Sequence, residues 1–129
     1  MQNSFSLCTA IYQRVLREEL GLDMLDPAAL FPSPEAAAGA MHAAGYHGAF
    51  VSTSVHPRLR SCTPEEFAAA AWRQWSGFPG LPLADCVPPQ ALKAAEAAFM
   101  AAAVEAARKA AVPGGVWEQH AMLLVVGRA

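Results

Sequence analysis

Apolar residues at positions 8, 11, 12, 15 and 16 (Cys8, Ile11, Tyr12, Val15, Leu16) recur at helical spacing. Gln13, Arg14, Arg17 and Glu18 fall on the other side, so an amphipathic helix is expected from about Phe5 to Leu20. Gly21 supplies the left-handed residue that ends helices cheaply. Leu22, Met24 and Leu25 then form an apolar link, and Asp26-Pro27 can cap a short turn through Phe31. A second helix opens at Ser33-Pro34-Glu35, a capping residue, a proline suited to the first turn and an acid at the positive end of the dipole. Its inward stripe is Ala37, Ala40, Met41 and Ala44, and Gly45 stops it. Ala49 to Val55 is β-branched and aromatic, which predicts a strand closed by Pro57.

Thr63-Pro64-Glu65-Glu66 is a capping box that starts a third helix, with Phe67, Ala71 and Trp75 on one face and Trp72 at its margin. Ser76 to Pro89, rich in Gly and Pro, reads as loop. A fourth helix fills Gln90 to Ala111 on a stripe of Leu92, Phe99, Ala103, Ala106 and Ala110, with Glu105 and Lys109 as a surface pair. Pro113-Gly114-Gly115 breaks it. The run His120 to Val126 is apolar without alternation, which predicts a strand buried on both faces in mid-sheet. The pattern gives an α+β fold: about four helices packed on a small sheet with an antiparallel strand pair near 49–55 and 118–127. It is read as a single domain over 1–129, with a helix and link (1–31), a helix–strand unit (32–55), a helical insertion (56–117) and a terminal strand (118–129).

Composition narrows the function classes. The chain has 129 residues, 29 of them Ala, and only 16% are charged, which argues against disorder. Nine Lys and Arg against eleven Asp and Glu leave no basic footprint for nucleic acid. Cys8, Cys62 and Cys86 are odd in number and form no CxxC pair, so neither a disulfide framework nor a zinc ribbon is expected. The first residues lack a basic start and a long apolar run, and Ala91 to Val112 carries five charges; no targeting peptide or membrane span is read, and the expected location is cytoplasmic.

Candidate chemistry is sparse. His42, His47, His56 and His120 share no metal-ligand spacing, and His42 and His47 flank a helix end, which does not place two imidazoles on one face, so no metal is expected. No GxSxG elbow and no phosphate-binding glycine loop occurs; Gly114-Gly115 precedes a strand and reads as a turn. Trp72, Trp75 and Phe78 lie within seven residues beside the Pro/Gly-rich loop. They form either a satellite core under that loop or the wall of an apolar pocket. Arg58 and Arg60 are read as a solvated pair, with anion steering as the other option.

Ser33-Pro-Glu-Ala-Ala-Ala-Gly-Ala-Met-His-Ala-Ala-Gly-Tyr46, leading into the strand Phe50 to Val55, resembles a late segment of class I SAM-dependent methyltransferases. Glu118 to Ala129 resembles their last strand, which often ends in Gly-Arg, and Thr63 through the Trp pair resembles the helical insertion placed over the substrate. The resemblance implies the substrate-side, C-terminal part of a Rossmann-like methyltransferase. Tyr46, Trp72, Trp75 and Phe78 would then form a lid over a small-molecule substrate. The Gly-rich SAM loop of that family has no counterpart here, so no cofactor is expected to bind this chain alone; SAM would come with a partner or an N-terminal half. In that fold the last strand is flanked on both sides, and the resemblance therefore implies a bare edge at Gln119 to Val126 and a homo-oligomer or hetero-complex through it. Two functions stand at this point: the lid of a methyltransferase-like protein, inactive alone, or a non-catalytic assembly protein using the strand edge and the Ala-rich helix. Burial of Trp72 and Trp75 would favour the second.

Overall fold

The structure, a computed structural model, describes residues 7–24, 33–77 and 82–129. Its elements are α1 (Thr9–Leu20), α2 (Pro34–Ala43), β1 (His47–Arg60), α3 (Pro64–Ser76), the single turn α4 (Leu83–Cys86), α5 (Pro89–Lys109), β2 (Ala111–Val112) and β3 (Gly115–Arg128). Helices and antiparallel strands make a mixed α+β fold. The punctuation read from the sequence operates as expected. Ser33 Oγ accepts from the Ala36 amide at 3.1 Å, and Thr63 and Glu66 bond each other's amides at 3.1 and 3.2 Å. Gly21 closes α1 in the left-handed region at φ 64°. Residues 5–6 of the first helix and the Asp26–Phe31 turn lie outside the described residues.

The helical body buries α1, α3, α4 and α5 against one another, with Leu16, Phe67, Leu83, Ala95 and Phe99 at its centre. The many alanines explain the close approach: Ala95, Ala103 and Ala107 are wholly buried on one side of α5, where a larger residue would hold the neighbouring helix away. Part of the expected 76–89 loop is in fact helical, because Leu83 buries itself fully against this body. In α2 the expected stripe is only half realised; Ala37 is buried, whereas Ala40 and Ala44 are exposed.

The sheet has the order β1-β3-β2. β1 and β3 run antiparallel from His47 opposite Arg128 to Arg60 opposite Val116, in regular register apart from an irregularity between His47 and Phe50. β1 therefore continues through Pro57, which had been expected to close it. A proline is tolerated there because β1 is an edge strand, where one missing donor need not break the ladder. β2 pairs with β3 only at Ala111–Val116 and Val112–Gly115. Beyond Val116, the outer side of β3 has no strand partner among the described residues.

Residues directly opposed in an antiparallel pair share a face. One face of the ribbon thus carries Val116, Glu118, Arg58, Ser52, Leu124, Phe50 and Val126; the other carries Leu59, Trp117, Val55, Val51 and Val125. The helical body covers the first face at one end, burying Val116 and Glu118. Helix α2 covers the second face at the opposite end, where the Met41 side chain packs over Gly127. The expectation that the 120–126 strand is buried on both faces fails at Leu124 and Val126, which are 59% and 52% exposed. They lie on the first face, past the reach of the helical body.

Candidate functional site

Of the aromatic residues singled out in the sequence, Trp72 and Trp75 pack with Tyr12 and Phe99 in the helical body. The Tyr12 ring stacks on Trp75 at 5.6 Å, meets Trp72 at 6.0 Å and stands edge-on to Phe99 at 6.0 Å; Trp72 and Phe99 are 5.4 Å apart. Tyr12 Oη donates to the Trp75 carbonyl at 3.2 Å, tying α1 to the end of α3. Trp72 is buried and Trp75 is half-buried. Tyr46 lies outside this cluster, exposed in the link between α2 and β1 with its Cβ over Gly127. Phe78 lies outside the described residues. The four expected lid residues are therefore not brought together among the described residues. The member that sequence reasoning left out of the cluster is Tyr12, although its place in the same stripe as Val15 and Leu16 was the available signal.

The remaining candidates sort by burial. The His42 and His47 rings meet edge to face at 5.9 Å, closer than the helix end led one to expect, because residues 44–46 turn the chain straight back. No group of three or more His, Cys, Asp and Glu able to hold a metal occurs among the described residues. Arg60 turns toward the protein, 4.0 Å from the buried Glu118 carboxylate, while Arg58 is exposed. Gly114-Gly115 forms the β2–β3 turn, and Gly115 presses on the Arg60 backbone rather than leaving room for a phosphate.

Burial, with the nearby Glu118 charge adding to it, pushes the Cys8 thiol up to about 12, and burial raises the Tyr12 phenol to about 12 as well. The thiolate is the nucleophile, so Cys8 is chemically inert in the fold. At pH 8 a thiol reagent is expected to label exposed Cys86 at once and Cys8 only on unfolding. Mass spectrometry of the labelled chain reads the order directly, and early modification of Cys8 would contradict its burial. Because both groups have folded values above their unfolded ones, their contribution to stability is intact below about pH 9 and is lost as pH rises toward 12.

No family model, curated protein or solved structure matches this chain. Its most distinctive feature is therefore read from geometry alone. Among the described residues, the exposed large apolar side chains (Tyr46, Phe50, Val55, Leu59, Val112, Trp117, Leu124 and Val126) lie on the sheet or directly before it. They flank the outer side of β3, which beyond Trp117 has no strand partner among the described residues. An apolar surface beside an open edge is what strand addition uses, the backbone giving affinity and alternate side chains giving selectivity. No helix of the described residues is long and apolar enough to cross a membrane.

Proposed function

We propose that this chain is a methyltransferase-like module that acts by assembly through the outer edge of β3, without chemistry of its own. One observation carries the reading: from Trp117 to Arg128 the outer side of a fourteen-residue strand has no strand partner among the described residues, and large apolar side chains stand beside it. Burial of Trp72, with Trp75 packed on Tyr12, supports assembly over the lid role, since rings locked in the core cannot also wall a substrate site.

The methyltransferase-like character rests on element order. A capped helix leads into a strand, a helical segment follows, and a final strand runs antiparallel to the first, ending in Gly127-Arg128. A completed enzyme would perform an in-line methyl displacement that depends on positioning and water exclusion, not on a dedicated nucleophile. The methyl donor would come with a partner or an N-terminal half. The test joins two measurements on the purified chain. Hydrogen exchange at high protein concentration is expected to show the β3 amides that face away from β1, beyond Trp117, protected as well as those of α5, although no strand among the described residues pairs with that side. Calorimetric titration with SAM is expected to give no heat. Fast exchange along the whole outer edge, or SAM binding at micromolar strength, overturns the reading.

A further inference from the structure

The His42 and His47 rings meet at 5.9 Å with their planes 84° apart, and the way α2 ends is the cause. The Gly45 amide donates to the His42 carbonyl and the Tyr46 amide to the Met41 carbonyl, each at 3.0 Å. This is the paired closure of a Schellman motif, with Gly45 as its left-handed residue at φ 91°. The chain therefore turns back at residues 44–46 and enters β1 at His47. Packing holds the reversal in place as well. Met41 and Tyr46, the residues just before each histidine, both lie over Gly127 of β3. Backbone hydrogen bonds and packing thus set the two imidazoles side by side, while both stay exposed.

We infer that His42 and His47 form a two-imidazole site for a divalent transition metal of the zinc class, at the junction of α2 and β1. The inference goes beyond the assembly reading and does not depend on it. Imidazole is a ligand that suits zinc, nickel and copper(II) alike. A metal roughly 2.0–2.1 Å from one nitrogen of each ring, at a tetrahedral angle, sets the ring centres about 5 Å apart. The observed 5.9 Å is close to that spacing. Two exposed side chains close the gap by turning about their own bonds, and the last torsion of a histidine is broad. Two protein ligands leave the other positions to water or to a donor from another molecule, so the site is an open one.

The electrostatics of the junction point the same way. His42 lies in the last turn of α2, a helix of ten residues. The negative pole of the helix dipole falls there and favours a cation. The opposing charge is Arg128, which faces His47 in the register of β1 and β3. It is exposed, and solvent and salt screen it. His56 provides the comparison within the same chain. Its ring lies on the exposed part of β1, with Nε2 2.9 Å from Ser54 Oγ, and no helix terminus stands at its position.

The experiment is calorimetric titration of the full chain with zinc ion, in a Cys62→Ser, Cys86→Ser background that removes the two more accessible thiols. Binding of a single zinc per chain is expected. His42→Ala and His47→Ala are each expected to weaken it at least about tenfold, because in a chelate the second imidazole acts at high effective concentration. Both positions are exposed, so each variant is expected to keep the circular dichroism of its parent. His56→Ala is expected to leave the affinity unchanged. Three results overturn the inference. One is no binding up to about 1 mM zinc. Another is binding that follows His56 in place of His42 and His47. The third is a pair of equal, independent sites of which each single variant removes one, since separate surface imidazoles behave that way and a chelate does not.

Discussion

Replacing Phe99 by Ala is expected to cost about 3–5 kcal/mol of folding stability, the usual range for truncating a fully buried phenylalanine. Phe99 is wholly buried on α5, with Trp72 at 5.4 Å and Tyr12 at 6.0 Å. Three different helices thus meet at this one ring. Its removal takes away transfer free energy and leaves a void lined by rigid rings, which relax poorly because indole and phenol cannot change shape to fill it. Domains of this size are stable by only about 5–15 kcal/mol, so the loss is a large fraction of the total. Urea unfolding followed by circular dichroism measures it. Tryptophan emission from the folded variant should shift to longer wavelength as water reaches Trp72. A loss below about 1 kcal/mol would show that the aromatic cluster is not the centre of the body. Secondary-structure signal from the ribbon should survive at urea concentrations just below the transition no better than that from the helices, since Val116 belongs to the same buried cluster.

How much of this was legible in the sequence depends on whether local chemistry or distant packing decides each feature. The ends of α2 and α3 were legible, because Ser33-Pro34 and Thr63 to Glu66 are signals contained within four residues. The strand pair was legible in kind but not in length. β1 runs on to Arg60 because β3 continues to pair with it, and only the partner strand carries that information. The unbroken run before Gly127 marked a strand, but its expected burial on both faces is not met. It could not say that Leu124 and Val126 would stand uncovered, since cover depends on where the helical body stops. The ring partners of the two tryptophans were not legible for a similar reason. Trp72 and Trp75 lie close in sequence to a Pro/Gly-rich stretch, yet the ring partners of Trp72 are Tyr12 and Phe99, 60 and 27 residues away. The approach of the His42 and His47 rings was not legible either, because it depends on the reversal at residues 44–46.

Substituting Gly115 by Ala is expected to destabilise the fold by about 2–4 kcal/mol, the sum of a strained backbone and a displaced neighbour. Two independent features demand glycine here. The residue sits at φ 154°, on the positive side that side-chain-bearing residues rarely adopt, and a Cβ built there collides with the Arg60 carbonyl oxygen. That carbonyl is backbone and cannot swing aside as a side-chain tip could. Relief requires moving either the β2–β3 turn or the end of β1. Both carry consequences: Arg60 opposes Val116 in the last register pair, and Val116 is wholly buried in the core. The same shift would disturb the approach of Arg60 to Glu118. Gly39 serves as the opposite case. It lies inside α2 with open space around its would-be Cβ, so Gly39→Ala is expected to stabilise by about 0.5–1 kcal/mol through helix propensity. Thermal unfolding of the two variants side by side decides the matter. If Gly115→Ala melts with the wild type, the close contact between the hairpin turn and β1 is absent in solution, and the ribbon's attachment to the helical body must be made elsewhere.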